Sequence, residues 1–393
     1  MTKVLVINSG SSSLKMQIVD TDGATLATSL SERIGDSGSV VHVQAGDDGE
    51  RRERQVDLAN HGEALEVVLE LVAELGVHPK DVGVSIVGHR VVHGGSKFTQ
   101  PTLVDSAVED EIERLAELAP LHNPANLRGI RVAREMFPEL PHVAVFDTGF
   151  FSTLPASAYT YAVPPEWDIR RYGFHGTSHA YVSEQAAPVL GRSYADINQI
   201  VLHLGNGASA SAVAGGEAVE TSMGLTPLEG LVMGTRPGDV DPGALIHLMD
   251  EQGVTPKELS EGLNRASGLK GLAGVSDFRE VLGRADAGDA DAKLAYDVTV
   301  HRLRKYVGAY WAVLGRVDAI TFTAGIGENA PRLRADVLAG FEDWGVAVDS
   351  AANESGKGAR LISGEGSKVA ALVVPTNEEL AIARFADEVV GGK

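Results

Sequence analysis

The sequence predicts an α/β protein built from two similar domains that face one cleft. The chain has 393 residues, which is longer than a single hydrophobic core usually grows. An apolar run at residues 4–7 breaks into Asn8-Ser9-Gly10-Ser11-Ser12-Ser13 and resumes over residues 14–19, a pattern typical of two strands joined by a flexible loop. The same design, with a small-residue loop at residues 205–209, returns about 200 positions later and indicates an internal duplication.

Composition excludes several classes of function. The formal net charge of −20 argues against broad binding to nucleic acid or to an anionic membrane, because both favour basic surfaces. No apolar stretch is long enough to cross a membrane and no secretion signal opens the chain, so we expect a cytoplasmic protein. The chain has no cysteine, which rules out disulfides, thiolate metal sites and a cysteine nucleophile. An anionic substrate would need a local cationic pocket.

The first domain is predicted to open as an antiparallel meander and to continue with helices and strands. Polar turns separate the strands, and apolar stripes mark the helices. The predicted elements are strands at 4–7, 14–19, 25–34, 40–43, 82–87 and 143–146, and helices at 61–75, 106–118 (with Ser106 as N-cap) and 125–136. Arg90 and Asp147 follow two of these strands, and strand ends are where open α/β sheets bind ligands.

The second domain is predicted to follow a passage at residues 150–165 that is rich in proline, serine and aromatic residues. Its predicted elements are a helix ending near residue 190, strands at 200–204, 210–214, 319–322 and 369–374, helices at 244–249, 256–265 and 290–314, and a last helix after Glu379. Residues 323–329 are interpreted as a strand end and glycine turn. An apolar face of the 290–314 helix, starting at Leu294, is expected to be core or a subunit contact.

Glycine-rich turns at strand ends suggest a nucleotide site. The amides and hydroxyls of Ser11 and Ser12 can converge on an anion with Lys15 behind them, although an ordinary Gly/Ser hairpin turn explains this one loop equally well. Three such turns fit the phosphates and the nucleoside of a nucleotide better than a single short ligand. No P-loop motif occurs, and no G-x-G-x-x-G follows the first strand. The architecture instead matches duplicated ribonuclease H-like domains.

Eight motifs, in order over nearly the whole chain, resemble the signatures of the acetokinase family. They lie at residues 8–13, 88–95, 146–148, 171–179, 203–207, 234–239, 324–329 and 376–379. The resemblance implies the fold shared by acetate and sugar kinases, heat-shock chaperones and actin. It also implies a homodimer that transfers the ATP γ-phosphoryl group to acetate and gives acetyl phosphate. The expected domains are residues 1–149 with 380–393, and residues 150–379.

The resemblance assigns the transfer chemistry to four residues. Phosphoryl transfer needs groups that align the reactants and neutralise charge on the transferring oxygens. By resemblance, Arg90 holds acetate or the acyl phosphate, and His175 and Arg236 stabilise the transition state. Asp147 matches a catalytic acid or base, but a carboxylate nucleophile is already ionised near neutral pH. We therefore expect Asp147 to orient Arg90 or the metal.

The resemblance also implies binding sites for ATP or ADP, a metal and the acyl group. The metal, Mg²⁺ or alternatively Mn²⁺, matches Asn8 and Glu378, whose oxygen donors suit such an ion. The small apolar pocket for the acyl methyl group matches Val92, Leu121, Phe174 and Pro227. The nucleotide segments match Lys15, Ser11, Ser12, His203, Leu204, Gly205, Asn206, Gly207, Asp277, Phe278, Arg279, Gly325, Ile326, Gly327, Glu328 and Asn329.

Several alternatives stay open at this point. Taken one by one, Arg90 and Arg236 could form structural ion pairs, and His175 could be a hydrogen-bonded core histidine. Family members commonly differ from this chain at Ser96, Gly149 and Phe151, so propionate or butyrate could replace acetate. A nonenzymatic, ATP-dependent assembly protein is a second class with the same fold. His89, His93, His122 and His179 are interpreted as supporting groups, since their spacing forms no recognised zinc ligand set.

Overall fold

The structure, a computed structural model, describes residues 1–392. Its strands are β1 (Lys3–Ser9), β2 (Ser13–Asp20), β3 (Thr25–Glu32), β4 (Val40–Ala45), β5 (Arg51–Gln55), β6 (Ile86–Val91), β7 (Thr102–Leu103), β8 (His142–Phe146), β9 (Asn198–Leu204), β10 (Ala208–Ala214), β11 (Glu217–Thr221), β12 (Ala319–Thr323), β13 (Arg360–Leu361) and β14 (Ala370–Val373). Its α-helices are α1 (His61–Glu74), α2 (Pro79–Val82), α3 (Ser106–Arg114), α4 (Asn123–Met136), α5 (Ala156–Tyr159), α6 (Gly176–Leu190), α7 (Pro242–Gln252), α8 (Pro256–Arg265), α9 (Gly268–Ala273), α10 (Phe278–Asp286), α11 (Ala290–Leu314), α12 (Ala324–Asn329), α13 (Pro331–Leu338), α14 (Ser350–Glu354) and α15 (Glu378–Gly391).

The chain forms two compact units. Unit 1 contains Met1–Phe150 and the chain from Asn377 onward, and unit 2 contains Phe151–Thr376. Relative to the boundaries expected from the sequence, Phe150 and residues 377–379 belong to unit 1. The reason for the second difference is that α15 begins at Glu378 and packs on β1, β6 and β8.

Unit 1 is built on an eight-stranded sheet with the order β5-β4-β3-β2-β1-β6-β8-β7. Strands β1 to β5 form the predicted antiparallel meander, while β1, β6 and β8 are parallel neighbours. One face of the sheet packs on α1 and on the end of α4 through a core that includes Leu5, Ile7 and Phe137. The charged strand β5 was not predicted, because its sequence, RRERQ, contains no apolar residue.

Strand β6 begins and ends four residues later in the structure than the sequence predicts. The strand runs over Ile86–Val91 rather than residues 82–87, so Gly88 lies inside it. A Cβ added to Gly88 would lie 2.8 Å from Ile382 Cγ2 and 3.6 Å from Val4 Cγ1. Gly88 is therefore a packing residue that lets α15 approach the sheet closely, not the start of a turn.

Unit 2 repeats the central arrangement of unit 1. Its six-stranded sheet has the order β11-β10-β9-β12-β14-β13. Strand β9 pairs antiparallel with β10 and parallel with β12, which pairs parallel with β14. In unit 1 the strands β3-β2-β1-β6-β8 have the same order and directions. The predicted duplication is confirmed.

Two local predictions are wrong for identifiable reasons, and a third holds in part. The N-cap of α3 is Asp105, whose carboxylate accepts from Val108 N–H at 2.9 Å, not Ser106. Residues 324–329 form helix α12, which starts directly after β12 because Ala324 has φ 64°. The predicted apolar face of α11 is core in part, since Leu303, Val307 and Tyr310 are buried, whereas Leu294 is 53% exposed. The other buried residues of α11 are Ala292, Ala295, Tyr296 and Thr299.

The close contact of α15 with β6 gives a stability prediction. Gly88→Ala should lower the free energy of unfolding by about 1–3 kcal/mol, because the new methyl group overpacks Ile382. Urea unfolding of the single variants and of the double variant Gly88→Ala/Ile382→Ala measures the coupling. Ile382→Ala removes the clashing methyl group, so the loss in the double variant should be smaller than the sum of the single losses. Strict additivity would contradict this account of Gly88.

Candidate functional site

Arg90 and Asp147 form a two-pronged ion pair at the edge of the unit 1 sheet. Arg90 lies opposite Val145 in the parallel pairing of β6 with β8, and Asp147 directly follows β8. Arg90 Nη2 lies 2.7 Å from Asp147 Oδ2, and Arg90 Nε lies 3.1 Å from both carboxylate oxygens. Glu378 Oε2 is a further 3.6 Å neighbour of Arg90 Nε. The structure thus brings together three residues predicted from separate motifs.

This ion pair is fixed by burial and charge. Burial raises the pKa of the Asp147 carboxyl, and the contact with Arg90 opposes that rise. For Arg90, burial by itself favours the neutral form, but the carboxylates of Asp147 and Glu378 outweigh it and raise the pKa. Nη1 of Arg90 has no hydrogen-bond partner among residues 1–392. Asp147 therefore holds one edge of the guanidinium and leaves the other able to bind an anion.

Asn8, Arg90 and the start of α15 lie on one face of the unit 1 sheet. Val6 pairs with Gly88, on the face covered by α15, so Asn8 and Arg90, each two residues further along, point the same way. Asn8 pairs with Lys15 across β1 and β2, and Lys15 and Glu379 line one surface groove. Glu378 is the first residue of α15, after the N-cap Asn377.

The oxygen atoms of Asn8 and Glu378 fit a hard divalent cation that keeps water ligands. Mg²⁺ typically takes only one or two protein carboxylates and retains several waters. Within residues 1–392 no group of three or more His, Cys, Asp or Glu side chains is arranged to enclose a metal ion. The donor set therefore suits a partly hydrated Mg²⁺ and not a closed, fully protein-ligated site.

The loop between β1 and β2 is an exposed turn whose backbone is held by a hydrogen bond with His61. Ser11 and Ser12 are exposed, and Gly10 N–H donates to the Ser13 carbonyl at 2.8 Å. His61, at the start of α1, lies with Nε2 2.7 Å from the Gly10 carbonyl. Burial lowers the pKa of His61. His61 was not predicted as part of this site, since only the tertiary fold brings α1 under the loop.

Two asparagines of α4 hold the segment that follows β6. Asn123 accepts from His93 N–H at 3.1 Å and donates to the His93 carbonyl at 3.0 Å. Asn126 accepts from Val92 N–H at 3.1 Å and donates to the Ser9 carbonyl at 2.8 Å. Sequence reasoning missed both, although their spacing of three within a helix was a usable signal. Val92 is partly buried, whereas Leu121 is 48% exposed.

His175 is held in a strained conformation at the start of α6 in unit 2. It occupies the N-cap position with φ 59° and ψ 24°, which few residues other than glycine adopt. Nδ1 lies 2.9 Å from Ser209 Oγ, and the ring stacks on His203 at 4.4 Å between centroids. The neighbouring Phe174 is 2% exposed and so belongs to the core.

His175 and Arg236 converge on Gly207. A Cβ built at Gly207 would lie 3.4 Å from His175 Nε2 and 3.8 Å from Arg236 Nη2. Arg236 Nη1 donates to the Pro227 carbonyl at 2.9 Å. Among residues 1–392 no carboxylate lies within ion-pairing distance of Arg236, and burial lowers its pKa. A half-buried guanidinium without a counter-ion is a strong indication of an anion site.

The glycine-containing loops at residues 205–207 and 234–238 of unit 2 are hydrogen-bonded to each other beside a narrow apolar cavity. Gly234 N–H donates to the Asn206 carbonyl at 2.9 Å, and a Cβ at Gly234 would lie 2.0 Å from Asn206 Oδ1. The cavity is lined by residues of the predicted nucleotide segments together with core residues: Leu204, Gly205, Ala208, Val232, Met233, Gly234, Leu269, Phe278, Thr299, Leu303, Ile326 and Leu333. Four predicted nucleotide residues, Leu204, Gly205, Phe278 and Ile326, thus lie together.

Further predicted nucleotide residues lie at the start of α10 and in α12. Asp277 caps α10 and pairs with Arg279 at 2.6 Å; the Arg279 side chain is 89% exposed. The contact with Arg279 lowers the pKa of Asp277 to about 2. Gly325, Gly327 and Asn329 belong to α12, whose carbonyls at Gly327 and Glu328 accept from the buried Arg334, each at 2.8 Å. Sequence reasoning missed Arg334.

The three departures from the family pattern differ in their surroundings. Phe151 is 1% exposed, and its ring meets His179 edge-on at 5.6 Å. A Cβ at Gly149 would lie 3.5 Å from the Thr99 carbonyl oxygen, and Ser96 is exposed. Phe151 therefore acts in the core beside His179, and the other two positions have room for larger side chains.

Comparison with known proteins places these features in a family. A family model described as the acetokinase family matches residues 3–384. The chain is 55% identical over 388 residues to an acetate kinase of Streptomyces coelicolor, a match that covers 97% of this chain and 95% of that protein. It is 54% identical over 396 residues to an acetate kinase of Streptomyces avermitilis, covering 99% and 98%.

Two solved structures that resemble this fold are kinases of small carboxylates by name, as are the sequence relatives. The crystal structure of Porphyromonas gingivalis acetate kinase has a TM-score of 0.93 and 41% identity, and a propionate kinase from Francisella tularensis has 0.92 and 39%. Each match covers 99% of this chain and 100% of the other. Both are phosphotransferases by name. No helix within residues 1–392 has the length and apolar character needed to cross a membrane.

The buried histidine pair behind Arg90 gives a pH prediction. His89 Nε2 lies 2.9 Å from His142 Nδ1, and burial lowers the pKa of both. Below pH 6.5 the unfolded chain binds protons that the folded chain excludes, so stability should fall as pH drops from 7 to 5, by up to about 1.4 kcal/mol per pH unit for each histidine. Urea unfolding of His89→Gln should show a shallower pH slope than the wild type. The exposed His247→Gln is the control, and equal slopes in all three proteins would contradict the prediction.

Proposed function

The chain belongs to the acetokinase family, and on this basis we propose that it catalyses reversible transfer of the ATP γ-phosphoryl group to acetate, giving acetyl phosphate and ADP. As an ATP-dependent kinase it is an enzyme, so the nonenzymatic assembly protein considered from the sequence is excluded. The observation that carries the proposal is the convergence of His175 and Arg236 on Gly207, with no carboxylate of residues 1–392 within ion-pairing distance of Arg236.

Arg236 and His175 are proposed to stabilise the transferring phosphoryl group. Phosphoryl transfer develops little new covalent chemistry for a protein to assist, so charge stabilisation and alignment dominate. Among residues 1–392, Arg236 is held only by the Pro227 carbonyl, and binding of an anion would offset the cost of its desolvation. His175 is pre-oriented by Ser209 and by the stacked ring of His203.

Arg90 is proposed to bind the carboxylate substrate, and Asp147 to position Arg90. Acetate is already ionised near neutral pH, so the reaction requires no base. Asp147 occupies Nε and Nη2 of the guanidinium. The substrate then meets the other edge, which fixes its attacking oxygen. This arrangement assigns Asp147 an orienting role and not proton transfer.

The nucleotide and the metal are proposed to bind at the predicted segments. The clustering of Leu204, Gly205, Phe278 and Ile326 around one narrow apolar cavity supports a shared role of these residues at the nucleotide site. The exposed Ser11 and Ser12 of the loop between β1 and β2, together with Lys15 on β2, support a role with phosphate. Asn8 and Glu378 would hold Mg²⁺, or Mn²⁺ in its place. When bound, such an ion neutralises phosphate charge and orders the polyphosphate.

Acetate is proposed over longer acids because the chain is 55% and 54% identical to two proteins named acetate kinase over nearly its whole length. One additional methylene changes the discrimination by only about 1–3 kcal/mol. The test is an assay with Mg²⁺ATP and acetate, propionate, butyrate or no acceptor, following ADP and acyl phosphate. Nucleotide hydrolysis that ignores the carboxylate would overturn the kinase assignment, and a higher kcat/KM for propionate would overturn acetate alone.

Replacing Arg236 by alanine should abolish most of the turnover. Arg236→Ala is expected to lower kcat about 10²-fold or more, the scale of losing one transition-state donor. Arg316→Ala removes an arginine that is 62% exposed and pairs with Asp318, so it serves as the charge-matched control with near-normal kcat. Near-normal turnover of Arg236→Ala in the acetyl phosphate assay would refute the role of Arg236.

A homodimer in the cytoplasm is proposed as the working form. Helices α7 and α8 contain no buried residue, yet they carry Ile246, Leu248, Met249 and Leu259. Ile246 is 53% exposed. Apolar helix faces of this kind mark interaction surfaces, and a second copy of the chain supplies a matching face by symmetry.

Charge on this face should separate the two subunits. Ile246→Asp is expected to shift sedimentation velocity from dimer to monomer at micromolar concentration, because association would bury an unpaired carboxylate. Val390→Asp changes a valine of unit 1 that is 41% exposed and should leave the mass unchanged. A dimer that survives Ile246→Asp, or a wild-type monomer, would contradict the proposed interface.

A further inference from the structure

A chain of hydrogen bonds in unit 2 connects two buried serines of β10 with two histidines at the start of α6. Ser211 Oγ lies 2.7 Å from His179 Nδ1, and His179 Nε2 lies 2.7 Å from Ser209 Oγ. Ser209 Oγ lies 2.9 Å from His175 Nδ1. His179, Ser209 and Ser211 have no exposed surface. We call these four side chains the serine–histidine relay.

The two secondary-structure periods explain why the relay closes. Ser209 and Ser211 are two residues apart on a strand, so they share a face and lie about 6.7 Å apart. His175 and His179 are four residues apart at the start of a helix, which is a rise of about 6 Å. The side chains therefore meet in alternation, each serine hydroxyl next to an imidazole nitrogen.

The direction of the hydrogen bonds in the relay is determined by its buried end. A hydroxyl carries one proton, and a neutral imidazole carries one N–H, so the bonds cannot be oriented independently. Among residues 1–392, His179 Nδ1 is the hydrogen-bond partner of Ser211 Oγ and no second partner is present. If Ser211 accepted from His179, its own buried O–H would lack an acceptor, which is unfavourable. Ser211 therefore donates.

This direction is passed along to His175. Burial and the neighbouring His203 lower the pKa of His179 well below its usual value, so its ring is neutral. With Nδ1 accepting from Ser211, the His179 proton is on Nε2 and is donated to Ser209. Ser209 then donates to His175 Nδ1. A neutral His175 consequently carries its proton on Nε2, the atom that lies beside Gly207 and Arg236.

We propose that the relay is a positioning device that fixes His175 as a neutral Nε2–H donor toward the transferring phosphoryl group, with Ser211 and His179 acting through His175. The proposal rests on the proposed function for the identity of the anion. The opposite direction would present the Nε2 lone pair to phosphate oxygens and repel them. Protonation of His175 on both nitrogens would leave the Ser209 proton without an acceptor.

Removing the buried end of the relay tests its catalytic effect. Ser211→Ala should lower kcat about tenfold, which corresponds to about 1.4 kcal/mol in the barrier, with KM for ATP and acetate within about twofold of wild type. Ser211→Thr keeps the hydroxyl and should recover most of kcat. Ser183→Ala is the matched control, because this equally buried hydroxyl on α6 bonds to Tyr194 and the Ala180 carbonyl, outside the relay. Equal kcat in Ser211→Ala and Ser183→Ala would overturn the proposal.

The tautomer of His175 tests the relay without turnover. In ¹⁵N-histidine-labelled full-length protein at neutral pH, with the His175 signals assigned by a His175→Asn variant, the wild type should show the Nε2–H tautomer. An Nδ1–H tautomer or an imidazolium overturns the relay even in an active enzyme. An Nε2–H tautomer in a protein that does not phosphorylate acetate leaves the relay standing and overturns the proposed function instead. If Ser211→Ala does not fold, the wild-type spectrum by itself shows whether the relay has the proposed direction.

Discussion

The parallel pairing of three neighbouring strands in each unit decides where the functional side chains lie. The carboxyl ends of parallel strands meet at one edge of a sheet, and the chain must leave the sheet there. In unit 1 this edge carries Arg90 near the end of β6 and Asp147 after β8. In unit 2 it carries the loop after β9, the start of α12 after β12 and Thr376 after β14. A duplicated sheet thus provides two edges with different chemistry.

The two key arginines differ in how their charge is balanced. Arg90 has a carboxylate partner that occupies one edge of the guanidinium, so it is already neutralised and can bind a small carboxylate by its free edge. Among residues 1–392, Arg236 has only a carbonyl partner, so its charge is compensated when an anion binds. This difference suits a substrate that carries one negative charge and a phosphoryl group that carries more. Because the chain has a net charge of −20, its overall charge does not attract anionic substrates. The local positive charge of Arg90 and Arg236 has to do so instead.

Buried polar groups behind each edge hold these residues in place. Asn123 and Asn126 fasten the segment after β6, and the serine–histidine relay orients His175. These hydrogen bonds are buried or partly buried, so a missing partner would be costly. The strained φ of His175 is stabilised in this way. Rigid placement is what phosphoryl transfer needs from a protein, since alignment supplies much of the rate.

The sequence by itself determined the duplication, the α/β class and most of the long elements. Helices at 256–265 and 290–314 were predicted with the bounds that α8 and α11 have, because apolar spacing and caps are local signals. The motif resemblance also selected Arg90, Asp147, His175 and Arg236.

Only the tertiary structure decided what each of these residues touches. The position of β6 depended on α15, nearly 300 residues further along, whose Ile382 requires Gly88 inside a strand. Other contacts of the site also join residues that are far apart in the sequence. Arg90 pairs with Asp147, and Ser209 contacts His175 and His179. The surroundings of Arg236, where a carbonyl of residues 1–392 and no carboxylate is the partner, are likewise set by the tertiary fold. A local pattern fixes the period of a helix or strand, and hence which side chains share a face. Which surface that face meets is set by packing between distant segments, and this is why function could be located from the sequence but its geometry could not.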